Sequence, residues 1–292
     1  MKPAPFDYHD PATLDEAVSL LGELDDDVKI LAGGQSLIPL LNMRLARPAA
    51  LIDLRKITEL DYIREDNGAI AIGALTTQRS VERSQLVKDR LPVLHEATRL
   101  IAHPQIRNRG TVGGSLAHAD PAAEYPAVAL LLDAEFKIRS ASGERTVSAS
   151  DFFITYLTTS LGSADILAEI RFPTLPEGTG WSFIEMTRRH GDFALAGAGV
   201  TIADSGGQCS AARIVLFGVD ATPVRASGAE QALVGQELSV ELIERAAQTA
   251  RDEVGEPLSD NHASSEFRRH LAGVMTERAL TEAAGRAGWA GS

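Results

Sequence analysis

The stretch Ile106 to Ala127 reads IRNRGTVGGSLAHADPAAEYPA, and the rest of the chain is best understood from it. Gly113 and Gly114 end a short β-branched run and are followed by small and polar residues, then by a Pro-led helix start at Pro121. Glycine permits a positive φ and lets another group come close. A turn with exposed N–H groups beside a helix start suits an anion, most often a phosphate. Taken singly, a diglycine turn before a helix is more often plain chain reversal. The same chemistry recurs, however, at Ala32-Gly33-Gly34-Gln35-Ser36, after the apolar run Val28 to Leu31. Two such units, about eighty residues apart, would grip the two phosphates of one dinucleotide from opposite sides.

Composition narrows the function. With 44% apolar and 23% charged residues among 292, the chain reads as one large or two ordinary globular domains. Twenty-eight Lys and Arg against 40 Asp and Glu give a formal charge of −12, and there is no basic run. That balance argues against nucleic acid or an anionic membrane surface as partner. The first ten residues lack a charged segment followed by an apolar one, and no run approaches the roughly 18 apolar residues of a membrane span. A cytoplasmic location is expected. Cys209 is the only cysteine, so the chain can form no intrachain disulfide and hold no iron–sulfur cluster, which needs about four thiolates. If it carries electrons, its own centre is organic and any cluster relay lies on another polypeptide.

In chain order, Thr13-Leu14-Asp15-Glu16 has capping-box spacing, with Leu14, Ala17, Val18 and Leu21 on one helical stripe. Val28 to Leu31 reads as a strand, Leu37 to Leu45 as the following helix and Ala50 to Leu54 as a second strand. Asp61 to Gly73 alternates around Asn67-Gly68, a strong hairpin signal. Thr77 to Gln85 and Pro92 to Ile101 read as helices, Thr111 to Leu116 as strand or loop, and Pro121 as a helix start. Glu135 to Arg139, Arg145 to Val147 and Ile166 to Phe172 read as strands. Pro173, Pro176, Gly178 and Gly180 then mark a domain boundary. Beyond it come strands Phe183 to Arg188, Ala196 to Ala203 and Arg213 to Val219. Helices follow at Ala226 to Leu233, Val240 to Val254 and Ser264 to Ala287, an order that predicts an α+β domain.

Other chemistries find little support. Gly197-Ala198-Gly199-Val200 lacks the third glycine of the dinucleotide motif, and no Walker A pattern or GxSxG elbow exists. Neither His95, His103, His118 nor His190 has metal-ligand spacing, so no metal site is expected.

Ala32-Gly33-Gly34-Gln35-Ser36-Leu37-Ile38-Pro39 and Thr111-Val112-Gly113-Gly114-Ser115, with Arg107 and Asp120-Pro121, resemble the FAD-binding medium subunit of molybdenum hydroxylases. That family includes carbon monoxide dehydrogenase, nicotine dehydrogenase and the flavin domain of xanthine dehydrogenase. Arg189-His190-Gly191-Asp192-Phe193-Ala194 and Phe267-Arg268 through Leu280 resemble its C-terminal domain. The resemblance implies an α+β fold. Residues 1–176 would be a two-lobed PCMH-type FAD-binding domain, with α/β lobes at about 1–56 and 57–176. Residues 180–290 would form a C-terminal domain with a small antiparallel sheet and helices.

For the site, the resemblance implies that Ile30, Leu31, Ala32, Gly33, Gly34, Gln35, Ser36 and Leu37 form the first FAD loop. Thr111, Gly113, Gly114 and Ser115 form the second, Ile101 and Leu167 line the flavin, and Glu124 lies near the polar chain of the FAD. Core packing is the competing reading for Ile101 and Leu167, and helix-start charge complementarity for Glu124. Phe193 stands where relatives often place an aromatic beside the ring, and Glu185 replaces a Lys common in some of them. No residue of this chain is expected to catalyse the substrate's chemistry. The resemblance further implies a large subunit with a molybdenum cofactor and a small subunit with two [2Fe–2S] clusters. These would assemble as a dimer of heterotrimers, with electrons leaving FAD for an external acceptor. Carbon monoxide, an N-heterocycle, a purine and an aldehyde stay open as substrates, with a lean to N-heterocycles from Gln35 and His118-Ala119-Asp120. Two other readings are a flavin-free scaffold and a stand-alone FAD oxidoreductase with its own substrate pocket.

Overall fold

A computed structural model describes residues 2–24 and 27–289. The first lobe is a three-stranded parallel sheet in the order Asp7–His9, Ala50–Asp53, Val28–Leu31. Ala50–Asp53 is buried throughout, as its central place requires. Thr13 caps the helix Leu14–Glu23 by accepting a hydrogen bond from Glu16 N–H, as the spacing predicts, while the Glu16 carboxylate accepts from Ala12 N–H, one residue before the cap, in place of the reciprocal bond of a capping box. Leu14, Ala17, Val18 and Leu21 pack with Ile52 and Leu54 in a small core of their own. The edge strand Asp7–His9 was not foreseen, because three residues are too short to show alternation.

The second lobe is an antiparallel sheet ordered Ile63–Asp66, Ala69–Gly73, Ile166–Pro173, Glu135–Ser140, Gly143–Ser148. The hairpin turn at Asn67-Gly68 has φ of +49° and +78°, the left-handed pair that a two-residue connection needs. Two expectations fail nearby. The segment Thr111 to Leu116 is neither strand nor loop: Val112–His118 is a helix, capped by Thr111, so both glycines sit in its first turn. The next helix begins at Glu124, not Pro121, because Ala119 is left-handed and Asp120 accepts a bond from Ala122 N–H, which makes 119–123 a turn.

A third sheet, antiparallel, runs Gly180–Met186, Ala196–Ser205, Gln208–Phe217, Val224–Arg225. Helices Ser227–Leu233, Val240–Glu253 and Ser265–Arg286 pack with it around a core that includes Val200, Ile214, Ala246 and Leu280. The other principal core joins the second and third sheets. Every residue of the helix Glu124–Leu131 is buried there, among Phe136, Phe183, Val215 and Phe217. Gly197 and Gly199 carry no nucleotide. A Cβ on Gly197 would lie 2.2 Å from the Phe217 ring, and one on Gly199 would lie 3.0 Å from that of Phe183. Those two rings stack at 5.0 Å. Among the described residues no helix is long and apolar enough to cross a membrane.

Candidate cofactor site

Between the two lobes lies a cleft with a cavity of about 520 Å³. Its floor is the pair of glycine segments, brought together by close backbone contact. A Cβ on Gly33 would stand 2.3 Å from the Arg109 carbonyl oxygen, and one on Gly114 would stand 3.5 Å from Ala32 Cβ. A Cβ on Gly113 would meet Ala74 Cβ at 2.5 Å. Only glycine lets the helix Val112–His118 lie that close to the strand end at Ala74.

The two segments are not equivalent. Gly113 N–H donates to the Ala74 carbonyl at 2.9 Å, Gly114 N–H to Thr111 Oγ1 at 3.0 Å and Ser115 N–H to the Thr111 carbonyl at 3.1 Å. The second segment has therefore committed its amides to the protein. In the first, the N–H groups of Gly33, Gly34, Gln35 and Ser36 have no acceptor among the described residues. Gly34, at φ +76°, turns the chain so that these four follow one another along the cleft wall. Backbone groups are rarely left without a partner, and successive N–H groups in such a turn make an anion-binding concavity. The expectation of two matching amide grips thus becomes one amide cradle, with the Thr111 and Ser115 side chains opposite.

Away from the cradle the lining turns apolar. Ile101, Leu157, Leu161, Ile166 and Leu167 contribute from the second lobe, and Phe193, 62% exposed, stands at the rim. The segment carrying Phe193 is set by His103, since a Cβ on Gly191 would lie 2.5 Å from that ring. The turn Ile101-Ala102 is held by the buried Arg107, whose guanidinium donates to the Ile101 and Ala102 carbonyls at 2.6 and 3.3 Å and pairs with Glu82. Burial pushes the Glu82 carboxyl upward, but its bonds to Arg79 and Arg107 outweigh that and hold it below the ordinary range.

Glu124 is buried in the wall beside Ala123. Burial first, then the nearby Glu185 carboxylate, raise its carboxyl well above the ordinary value. Burial likewise pushes Glu185 up to about 7, and its Oε2 has no hydrogen-bond partner among the described residues. Burial and a neighbouring carboxylate both disfavour the charged form, and Arg107 offsets this at Glu124 only in part. Simple charge complementarity at a helix start therefore does not describe Glu124, whose burial disfavours its charged form.

Residues 4–175 match the family of the FAD binding domain in molybdopterin dehydrogenase, and residues 181–283 that of the CO dehydrogenase flavoprotein C-terminal domain. The chain belongs to the FAD-binding medium subunits of the molybdenum hydroxylases. Within this medium-subunit family it is 43% identical to 6-hydroxypseudooxynicotine dehydrogenase complex subunit alpha of Paenarthrobacter nicotinovorans, over 98% of this chain and 97% of that one. The solved carbon monoxide dehydrogenase of Hydrogenophaga pseudoflava superposes with a TM-score of 0.96 at 42% identity, covering 98% of this chain and 99% of its counterpart. Quinoline 2-oxidoreductase of Pseudomonas putida gives 0.94 at 39% identity, with the same coverage. The cofactor of this medium subunit is FAD, and the donor set fits: an amide row for the diphosphate and an apolar end for the ring.

Fourteen of the residues expected at the site line the cleft: Ile30, Ala32, Gly33, Gly34, Gln35, Ser36, Leu37, Ile101, Thr111, Gly113, Gly114, Ser115, Glu124 and Leu167. Leu31 does not. Strand alternation turns it away from its neighbour Ile30, and it lines a hollow on the outer side of the loop. Leu157, Leu161, Asp165 and Gln78 also line the cleft and were not foreseen. They come from a short hairpin, the loop that follows it and a helix start, none with a distinguishing local pattern.

Proposed function

We propose that this chain is the flavin station of a heteromeric enzyme. A large subunit would oxidise the substrate at a molybdenum cofactor, and a small subunit would pass electrons singly from two [2Fe–2S] clusters to this chain. An external acceptor would then take them from here. The complex would be a cytoplasmic dimer of heterotrimers. The chain itself divides, on this reading, into a FAD-binding unit at 1–176, with lobes at about 1–56 and 57–176, and a C-terminal unit at 180–290. The single cysteine supports the division of labour, because clusters must then reside elsewhere.

One observation carries the reading: the row of N–H groups from Gly33 to Ser36, unpartnered among the described residues, opens into a cleft whose far end is apolar. FAD, when bound, supplies the exchange between one-electron and two-electron carriers. The chain's own residues bind and orient it. The Gly33, Gly34, Gln35 and Ser36 amides would hold the diphosphate, and the Thr111 and Ser115 hydroxyls would bond to its oxygens or to the ribityl chain. The Glu124 carboxyl would face the polar chain. Ile30, Leu37, Ile101 and Leu167 would flank the flavin, while Phe193 and Leu157 narrow the mouth and exclude water. Ala32, Gly113 and Gly114 give room, and Leu31 supports the loop from behind.

Purification through a tag on this chain tests the reading. Molybdenum, acid-labile sulfide and FAD should be recovered together. The isolated chain, reconstituted with FAD, should show flavin absorbance and no turnover of the complex's substrate. A chain that refuses FAD, or turns substrate over unaided, overturns it.

A further inference from the structure

Arg268, in the first turn of the helix Ser265–Arg286, is charged and yet buried. Its Nη1 donates to the Leu195 and Gly218 carbonyls at 2.6 and 2.8 Å, and its Nη2 pairs with Asp260 at 2.8 Å. Neither carbonyl has another donor among the described residues. Leu195 immediately precedes the strand Ala196–Ser205, and Gly218 immediately follows the strand Gln208–Phe217. One planar guanidinium therefore ties the start of one strand to the end of its neighbour, with directions that a flexible ammonium would not fix. Both ends lead to the cofactor cleft. Among the described residues the cleft takes only Gly191, Asp192 and Phe193 from beyond residue 180, and all three lie on the loop between Met186 and Leu195. That loop is closed at its base by Leu195 N–H, which donates to the Met186 carbonyl at 2.8 Å. On the other side Gly218, left-handed at φ +73°, donates its N–H to the Pro121 carbonyl at 2.8 Å. Pro121 sits in the turn 119–123, and Asp120, Ala123 and the following Glu124 line the cleft.

The structure assigns Arg268 a role as a positioning residue for the cofactor: from the core of the C-terminal domain it sets both the rim loop that carries Phe193 and the turn that leads into Glu124. The inference deepens the function proposed above and rests on it. Arg268 lines no part of the cleft, so it acts through the backbone and not by touching the flavin. Leu195 and Gly218 are both buried, and a buried carbonyl stripped of its donor carries the full cost of its desolvation. Without the guanidinium the two strand ends relax toward other donors. The displacement reaches the cleft at once, because Phe193 is two residues from Leu195 and the Gly218 N–H is bonded directly to the cleft turn.

The test uses the complex purified through a tag on this chain, stripped of FAD and titrated back with it, at a temperature below every thermal midpoint. R268M removes the fork. D260N loosens it without emptying the core: an Asn Oδ1 can still accept from the His262 and Ala263 N–H groups, as Asp260 does at 2.7 and 3.0 Å, but its amide replaces the oxygen that faces Arg268. L280A, in the same helix and buried in the C-terminal core, is the control for lost stability alone. The expected result is about tenfold weaker FAD binding for R268M and about threefold for D260N. Both should alter the visible circular dichroism of the bound flavin, whereas L280A should lower the thermal midpoint and leave affinity and dichroism as they were. Unchanged affinity and dichroism in D260N and R268M overturn the proposal, as does an equal loss of FAD in L280A; should R268M fail to fold, D260N against L280A decides it. An unsubstituted complex that binds no FAD would instead overturn the reading on which the proposal rests.

Discussion

Gly33 lies against the Arg109 carbonyl: a Cβ on Gly33 would stand 2.3 Å from that oxygen and 2.8 Å from Gly110 Cα. Both contacts are to backbone, so nothing flexible yields, and the first loop must move off the second lobe if a methyl is added. G33A is expected to lower FAD affinity at least tenfold, about 1.4 kcal/mol, measured by fluorescence titration of the apoprotein. Gly22, in the helix Leu14–Glu23, has nothing within 4 Å of an added Cβ. G22A should leave FAD affinity alone and stabilise the chain by up to about 1 kcal/mol.

Thr111 closes the first turn of the helix Val112–His118 through its hydroxyl. T111A should cost about 1 kcal/mol of stability and T111S should restore it, read as the shift of the thermal midpoint without FAD. Equal midpoints for T111A and T111S would show that the cap contributes nothing.

Arg107 joins the turn at Ile101-Ala102 to Glu82 from a buried position. Removing one partner of a buried pair strands the other charge, so R107M should destabilise the chain by about 3 kcal/mol, measured by urea unfolding. Purified R107M should also carry less flavin, because Ile101 loses the group that fixes its carbonyl.

Glu185 is pushed up to about 7 by burial, from an ordinary value of 4.5. The folded chain then holds that proton more tightly than the unfolded one. The stabilisation is full below pH 4.5 and is lost as the pH rises to about 7. E185Q removes the titration and also the carboxylate that raises Glu124. Between pH 5 and pH 8 the stability of E185Q should fall less than that of the unsubstituted chain, by a few kcal/mol at most. Identical pH dependence of the two chemical-unfolding midpoints refutes the raised Glu185 carboxyl.

Local pattern was enough for much of the fold. The Thr13 cap, the Asn67-Gly68 turn and the long helix Ser265–Arg286 all form where nearby residues specify them. Failures came where a distant partner decides. Thr111 to Leu116 looks like β-branched residues ending in glycine, yet Thr111 caps a helix because Ala74 and Thr76 accept the Gly113 and Val112 N–H groups from another part of the chain. Leu157 reaches the cleft on the turn of a hairpin of three- and two-residue strands, and Leu161 just beyond it, with no readable period in either.

The sequence by itself determined that this chain has two glycine segments eighty residues apart, no thiols for a cluster and a family to which both segments belong. Those properties follow from residue identity and spacing along the chain. Only the tertiary structure decided that one segment keeps four amides without an acceptor among the described residues while the other commits its own to Ala74 and Thr111. It also decided that the Glu185 carboxylate bears on the buried Glu124 and that Leu31 turns to the side of the loop away from the cleft. The physical reason is that an N–H group's availability and a carboxyl's protonation depend on what folding places beside them, and those neighbours lie up to about sixty residues away in the chain.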